Sequence, residues 1–268
     1  MSTAILQAPL RPTGAPDPSV TAVPLTGLLR VELRKLVDTR AGFWLLAAIG
    51  IITVAVIGVF LFAADAEELT YLHFIGATST PQSLLLPVLG ILAVTTEWTQ
   101  RTGLVTFTLE PSRARVALAK LVAVLGVGLL AVVVAIGVAA LGNLAGIALM
   151  DGSGSWSVSG ANVRDVVGLQ LIGVLQGVAF GMLLMHTAPA IVSYYVLPLA
   201  WTQVVSLVGA LEGPAPWLDM NTAIGPLFKG EALEAGDWAH IAVAGTIWVL
   251  VPLTIGVVRL LRREVKSG

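Results

Sequence analysis

The chain contains few of the residues on which soluble enzymes depend. It has no cysteine among its 268 residues, which excludes disulfide bonds, thiol catalysis and cysteine-bound metal sites. Only 12% of its residues are charged, whereas about 25% are charged in a typical soluble domain. So little charge argues against a soluble globular domain.

Several catalytic and cofactor-binding motifs are also absent. No Gly-x-x-x-x-Gly-Lys-Ser/Thr sequence occurs, so the chain does not bind ATP through a P-loop. His-Glu-x-x-His and Gly-x-Ser-x-Gly are missing, and the three histidines are far apart in sequence. No charged residue falls well inside an apolar run, which argues against an intramembrane enzyme and against an ion-coupled carrier. We therefore predict a non-catalytic chain that binds no metal or other cofactor.

Long uncharged runs are what the chain has instead. It is 56% hydrophobic, with a mean hydropathy of +0.90, and its uncharged runs cover 41–64, 69–96, 121–150, 166–211 and 239–258. About 20 helical residues cross the hydrocarbon core of a bilayer, so the longest run holds two crossings, with a turn near Pro189. The runs are apolar throughout, unlike the alternating strands of a barrel. The sequence therefore predicts an all-α membrane protein with six transmembrane helices.

The six spans are expected over about 43–64, 80–96, 114–142, 166–185, 189–211 and 239–259. Pro81 and Pro87 interrupt the second run, and because proline is tolerated in a first helical turn, that span is expected to begin near Thr80. Residues 69–79 would then form a short outer helix. Segment 212–238 is too broken to span and too apolar for a free loop, which predicts short helices at the outer membrane surface before the last span.

The basic residues lie on one side of these spans. With the N-terminus inside, 13 of the 15 Lys and Arg residues fall in cytoplasmic segments, and only Arg164 and Lys229 fall outside. Orientation in a membrane follows the Lys/Arg bias of short loops. We therefore expect a multi-pass protein of the cell membrane with both termini in the cytoplasm.

Three segments flank the six-helix transmembrane domain, which is expected over 43–260. Residues 1–26 combine five prolines with small residues, which predicts a disordered tail. Residues 27–42 predict an N-terminal amphipathic helix at the membrane interface. Residues 261–268 predict a basic cytosolic tail.

The predicted interfacial helix has leucines on one face and basic groups on the other. The apolar face can dip beneath the lipid headgroups while the basic groups meet lipid phosphates. Its apolar face consists of Leu29, Leu33, Leu36 and Val37. Its charged residues include Arg30, Glu32, Arg34, Lys35 and Arg40. The alternative is a cytosolic extension of the first span.

Glycines recur in the third and fourth spans, where small residues let helix backbones approach closely. They predict packing inside one subunit or, alternatively, a contact between two copies. A few neutral polar residues fall in the spans, where they would either line a transport pathway or tie helices together. These residues include Asn143, Gln170, Gln176 and Gln203.

One polar, basic segment separates the second span from the third. It runs from Glu97 to Lys120, and its local signals predict a short helix over about 99–109, ended by Pro111, with Ser112 capping the next span. Such a helix would stand out from the bilayer and present apolar side chains to something other than lipid. The alternative is a solvated loop in which Glu97 pairs with the basic residue four positions later.

This segment and the interfacial helix together resemble a known family. The resemblance is carried by two stretches of sequence, Glu97-x3-Arg101-Thr102-Gly103-x7-Pro111-Ser112-Arg113-x6-Lys120 and, before the first span, Glu32-x-Arg34-Lys35-Leu36-x2-Thr39-Arg40. In this combination with six spans, the chain resembles the permease subunits of type-2 ABC transporters, particularly the short actinobacterial ones.

The resemblance implies roles for particular segments. Residues 27–42 would be the connecting helix, 97–115 the coupling loop and 212–238 the extracellular helices. The turn at 186–189 carries no Lys or Arg for a second contact with an ATPase. The implied coupling residues are Glu97, Arg101, Thr102, Gly103, Phe107, Pro111 and Arg113.

The resemblance also implies a complex and an activity. Two soluble P-loop ATPase subunits would hold ATP and Mg, and two permease copies would form a homodimer in membrane lipid. The complex would export an amphiphilic or hydrophobic compound such as a drug, peptide or lipid. No nucleic acid is expected as a partner. The alternative is a non-transporting receptor, immunity factor or scaffold, in which charge changes at Arg101 and Arg113 would leave function intact.

Overall fold

The computed structural model describes residues 24–100, 110, 112–229 and 233–262. It is 86% helical, and no strand occurs in these residues. Six helices are long and apolar enough to cross a membrane, which confirms the predicted all-α fold class. The tail expected over 1–26 lies outside the described residues except for its last three, as does most of 261–268.

The six long helices are α2 (Arg40–Ala63), α3 (Tyr71–Thr99), α4 (Arg113–Met150), α5 (Gly160–Leu184), α6 (Thr187–Leu207) and α10 (Ala235–Arg262). α1 (Leu25–Asp38) precedes them. A 3₁₀ turn at Gly209–Leu211 follows α6, and α10 contains a π-helical turn at Thr246–Leu250. The predicted short helices before the last span are α7 (Ala215–Leu218), α8 (Met220–Ala223) and α9 (Gly225–Lys229).

The helix ends meet at two opposite ends of the bundle. We call one of them the basic end, where α1 meets the last turn of α3 and the first turn of α4 meets the last turn of α10. Lys35 of α1 contacts Glu97 of α3 there, and Arg113 of α4 contacts Leu260 of α10. At the acidic end, the α2–α3 and α4–α5 loops pair, since the Tyr71 N–H donates to Ser155 O over 2.9 Å. Helix α9 lies at this end too, beside the first turns of α3 and α5.

A break at Thr39 separates α1 from α2. Thr39 is extended, and its hydroxyl accepts a hydrogen bond from the Gly42 N–H over 3.2 Å, so it caps α2. A Cβ on Gly42 would lie 1.9 Å from Leu36 O, so this tight turn requires glycine. α1 is therefore a separate helix that ends at Asp38, four residues before the predicted boundary of the interfacial segment, rather than an extension of the first span.

The apolar face of α1 packs on protein rather than facing only lipid headgroups. Leu36 is buried, and Leu29 and Leu33 pack against the same core of the bundle. Val37, which we expected on this face, is 47% exposed. The expectation that these leucines dip beneath lipid headgroups stays a prediction, and the structure adds that all three contact the bundle, an apolar surface that one sequence segment does not show.

α3 is one continuous helix through both prolines, so the expected start near Thr80 is wrong. Residues 71–79 belong to this helix rather than to a separate outer helix. Polar side chains support the helix here: the Ser79 hydroxyl donates to Ile75 O over 2.7 Å, and the Gln170 amide of α5 donates to Ser79 O over 3.0 Å. These bonds tie the part of α3 that precedes Pro81 to its own first turns and to α5.

α4 is longer than the span expected over 114–142. Its 38 residues correspond to about 57 Å at 1.5 Å per residue, nearly twice the roughly 30 Å hydrocarbon core of a bilayer. The helix ends at Asp151, which has a left-handed φ of 50°. α6, in contrast, ends at Leu207, before the expected position 211.

Glycine lets α3 and α5 pack backbone to backbone. A Cβ on Gly177 of α5 would lie 2.3 Å from Pro87 O, and a Cβ on Gly90 of α3 would lie 2.9 Å from Val174 O. The expectation of packing inside one subunit is confirmed for these positions. It does not extend to every glycine, since Gly168 of α5 has nothing within 4 Å of the corresponding point.

Candidate functional site

Four charged side chains form a closed ring at the basic end, which we call the ion ring. Glu32 and Lys35 come from α1, Glu97 from α3 and Lys120 from α4. Lys35 Nζ lies 2.8 Å from Glu32 Oε1 and 2.6 Å from Glu97 Oε1. Lys120 Nζ lies 2.7 Å from Glu32 Oε2 and 2.9 Å from Glu97 Oε1. The charges alternate around the ring and sum to zero, so three helices are joined without a net buried charge.

Lys120 is the more deeply buried cation of the ring, with a side chain only 6% exposed. It lies about 10 Å along α4 from Arg113, since a helix rises 1.5 Å per residue. Besides the two carboxylates, its ammonium group donates to Ala93 O over 3.3 Å. Each of its three N–H donors therefore has an acceptor, so the burial of this group leaves no donor unsatisfied.

Helical spacing brings the ring members together. Glu32 and Lys35 are one turn apart on α1, and Ala93 and Glu97 are one turn apart on α3. Glu32 also precedes the buried Leu36 by one turn, so the leucine stripe that packs on the bundle carries this carboxylate inward. The ring is thus a consequence of how α1 docks.

The ring changes the ionisation of Lys35, which lies outside the spanning helices. Burial lowers the pKa of the Lys35 ammonium, but its hydrogen bonds to Glu32 and Glu97 and the charges of these carboxylates outweigh that effect. The pKa of Lys35 is therefore raised above its ordinary value of 10.5. Lys35 is protonated at neutral pH, and the ring is closed under those conditions.

A cavity of about 600 Å³ lies between α1, α3 and α4, and all four ring residues line it. Glu110 also lines this cavity; it is buried and pairs with Arg115 at 3.1 Å. Removing one partner of a buried ion pair leaves an uncompensated charge and typically costs about 3–5 kcal/mol. The ring therefore holds α1, α3 and α4 in one arrangement beside an open space.

Two of the seven predicted coupling residues lie in the described part of the chain. Glu97 is a buried member of the ion ring, so its partners there come from α1 and α4. Arg113 is half-buried and donates to Leu260 O over 2.9 Å, which ties α4 to the end of α10. The other five lie outside the described residues: Arg101, Thr102, Gly103, Phe107 and Pro111. The predicted pairing of Glu97 with Arg101 therefore also lies outside them.

The charged residues of the interfacial helix divide into two groups. Arg30, Arg34 and Arg40 are exposed, as expected for groups that meet lipid phosphates. Glu32 and Lys35 instead belong to the ion ring. Glu32 thus differs from the three arginines, since its side chain is only 8% exposed.

Three of the four candidate pathway residues are buried, and the fourth is exposed. Asn143, Gln170 and Gln176 have exposures of 0%, 2% and 6%. Gln170 ties α5 to α3 through its bond to Ser79 O, one of the two roles foreseen for these residues. Gln203 is exposed on α6.

Two buried charges escaped the sequence analysis. Lys120 and Asp165 lie near the starts of α4 and α5 and are buried, at 5% and 1% exposure, whereas the expectation that no charged residue falls well inside a span stays a prediction. A signal for Lys120 was present, because Glu32 sits on the leucine stripe of α1 and a carboxylate on an apolar face requires a buried partner.

The ion ring and its cavity are the candidate functional site, because they join the interfacial helix to the two long helices on either side of segment 101–109. Comparison of the chain with known protein families, characterised proteins and solved structures gives no match.

Proposed function

We propose that the chain is the membrane-spanning permease subunit of an ATP-binding-cassette transporter. Two copies of a separate soluble ATPase hydrolyse ATP, and two copies of this chain form the path through the membrane. The cargo is an amphiphilic or hydrophobic compound, which the complex exports. The residue pattern between Glu97 and Lys120 and the six long apolar helices support this proposal.

The ion ring is the observation that carries the proposal. Glu97 and Lys120 lie on the helices at the two ends of segment 101–109, and Glu32 binds α1 to Lys120. A partner that pushes on this segment therefore moves α3, α4 and α1 together, because separating them would expose unpaired buried charges. A linkage of this kind is what a permease needs in order to convert a push at one end into motion of its spans.

The charge distribution supports one orientation. The described Lys and Arg residues at the basic end outnumber the two at the acidic end, Arg164 and Lys229. Basic residues accumulate on the cytoplasmic side of membrane proteins. The basic end therefore faces the cytoplasm in this proposal, where a soluble ATPase would reach it, and both termini lie on that side of the cell membrane.

Reconstitution tests the proposal directly. The tagged chain is expressed in its native host and purified in mild detergent together with any soluble P-loop ATPase that it retains, and the preparation is placed in lipid nanodiscs. We expect Arg101→Glu to lower the permease-dependent ATPase rate severalfold without changing membrane insertion. Glu212→Gln, an exposed change at the acidic end, is the matched control and should leave the rate unchanged.

Two results would favour the non-transporting alternative. One is a tagged preparation that retains no ATPase and shows no ATP-dependent activity. The other is an ATPase complex whose rate is the same with Arg101→Glu as with the unmodified chain, since a scaffold needs no coupling through this segment.

A further inference from the structure

A second cavity, of about 530 Å³, lies at the acidic end. We call it the acidic-end pocket. Its walls come from α2, α3, α5 and α9, and its volume falls within the range of about 300–1,000 Å³ that is usual for small-molecule sites. Apolar side chains form much of the lining, including Phe60, Leu169 and Phe228.

Asp165 places a buried carboxylate in this lining. The residue is 1% exposed. Its Oδ1 atom accepts hydrogen bonds from Arg164, with Nε at 2.8 Å and a terminal nitrogen at 2.7 Å. Its Oδ2 atom has no hydrogen-bond partner among the described residues. An ionisable side chain inside a membrane helix is costly to bury, which makes it a functional candidate by default.

Gln170 adds a second buried acceptor one helical turn further along α5. Its amide nitrogen donates to Ser79 O over 3.0 Å, but its Oε1 atom has no partner among the described residues. A buried acceptor without a donor costs about 1–3 kcal/mol. Asp165 and Gln170 therefore both line one cavity, and each has a buried oxygen that lacks a donor among the described residues.

The hydroxyl groups of the pocket are also available only as acceptors. Ser79 donates to Ile75 O, Thr80 donates to Gly76 O, and Ser83 donates to Thr80 O. Each hydroxyl has thereby used its single donor and keeps lone pairs. A ligand that satisfies this pocket must bring its own N–H or O–H donors.

The donors of the pocket lie at its edge or are engaged elsewhere. Arg164 is bound to Asp165 and stacks over the Trp238 ring at 5.6 Å. The Asn162 carbonyl oxygen is engaged, since it accepts from the Ser159 N–H over 3.0 Å. Lys229 lines the pocket but is exposed. His73 is exposed as well, and its Nδ1 donates to a backbone carbonyl over 2.6 Å.

We propose that the acidic-end pocket binds an organic ammonium group carried on an apolar body. The Asp165 and Gln170 side chains turn toward the cavity on binding, so that the ammonium donates to Asp165 Oδ2 and Gln170 Oε1, and the apolar body packs against Phe60 and Leu169. A free amine and the headgroup of phosphatidylethanolamine share this chemistry. The site goes beyond the proposed transport function and does not require an ATPase, because its residues all lie within one chain.

Binding of tritiated tryptamine to the full-length chain in nanodiscs tests this proposal without any nucleotide. Tryptamine joins a primary ammonium to an apolar indole, and N-acetyltryptamine is the matched neutral probe. In phosphatidylglycerol nanodiscs we expect saturable binding of tryptamine that excess N-acetyltryptamine does not displace. Equal binding of the two probes, or no saturable binding, would overturn the proposal.

Two variants with opposite expected effects on the affinity for tryptamine locate the site. Asp165→Asn should weaken binding at least about tenfold, because it removes a charge-assisted hydrogen bond. Lys229→Gln should tighten binding, because it removes a like charge at the rim, and its exposure keeps folding unaffected. If Asp165→Asn does not fold, Lys229→Gln decides: unchanged or weaker binding contradicts an ammonium ligand.

Adding phosphatidylethanolamine to the nanodiscs separates the two sources of the ligand. If the lipid headgroup occupies the pocket, phosphatidylethanolamine lowers tryptamine binding to the wild-type chain. In Asp165→Asn, the same lipid should leave the residual tryptamine binding unchanged. If binding is unchanged by this lipid, the ligand is a free amine. Both results support an ammonium site, and neither affects the ATPase measurement above.

Discussion

Lys120 of α4 donates a hydrogen bond to Glu32 of α1 over 2.7 Å, across 88 residues of sequence. Both side chains are buried, at 6% and 8% exposure. The bond makes α1 part of the membrane domain rather than a helix that lies free on the lipid surface. Its strength in this setting comes from burial, since an exposed pair of the same geometry contributes at most about 1 kcal/mol.

A double-mutant cycle measures this contact. We expect Glu32→Gln and Lys120→Met each to lower the free energy of unfolding by up to about 3–5 kcal/mol, because each leaves the ion ring with one uncompensated charge. The double variant should lose less than the sum of the two, because Lys35 and Glu97 still pair. Unfolding in mixed SDS micelles, followed by circular dichroism, gives the free energies.

Glu212→Gln is the control for this cycle, since the residue is exposed at the opposite end of the bundle. Its effect should stay within about 0.5 kcal/mol, as surface changes usually do. Additive effects of Glu32→Gln and Lys120→Met would show that the two side chains do not interact.

Two glycines of α5 offer a matched pair of substitutions. Gly177→Ala places a Cβ 2.3 Å from Pro87 O, a backbone atom that cannot move aside, and should destabilise the chain by about 1–3 kcal/mol or more. Gly168→Ala on the same helix meets nothing within 4 Å and should be neutral or stabilising, because alanine favours helix. Melting temperatures in nanodiscs compare them, and equal values would disprove the close α3–α5 crossing.

The ionisation of Lys35 predicts the pH dependence of the ring. The folded-state pKa of Lys35 lies above 10.5, its ordinary value. Its stabilising contribution is therefore complete below pH 10.5 and is lost as the pH rises through the raised pKa. The ¹³Cε shifts of labelled lysine can follow this titration, with Lys35→Arg used to assign the signal.

Glu97→Gln is the informative variant for this titration. It removes one of the two carboxylates that stabilise the Lys35 ammonium, so the pKa of Lys35 should fall. The same titration curve with and without Glu97→Gln would mean that Lys35 does not depend on this carboxylate.

The absence of cysteine allows the orientation to be tested by single introduced thiols. Val105→Cys, in the segment between α3 and α4, should react with a membrane-impermeant maleimide only after the cells are opened. Ser157→Cys, exposed at the acidic end, should react in intact cells. The reverse pattern would place the basic end outside, where no soluble ATPase could reach it.

The architecture was largely predictable because each span carries its own signal. An apolar run of about 20 residues reports a crossing without reference to the rest of the chain. The ends of α5 agree with expectation to within six residues for the same reason. The start of α3 was not predictable, because its two prolines favour a helix boundary, whereas contacts such as the bond from Gln170 to Ser79 O come from another helix and leave no signal in this segment.

The site was only partly predictable. Glu97 and Lys35 were singled out from the spacing of residues around them, but their partnership was not, since 62 positions separate them. The burial of Lys120 was not foreseen, because this residue borders an uncharged run and was counted with the basic segment that ends there. Asp165 was placed outside a span for the same reason.

The sequence by itself determined that this chain crosses a membrane six times and carries a separate amphipathic helix and short helices before its last span. These properties depend on local hydrophobicity and charge, which every segment displays alone. Only the tertiary structure decided that Glu32, Lys35, Glu97 and Lys120 close into a ring and that Asp165 and Gln170 share one cavity. Such groupings depend on how helices dock, and the energy of docking depends on contacts between segments far apart in the chain.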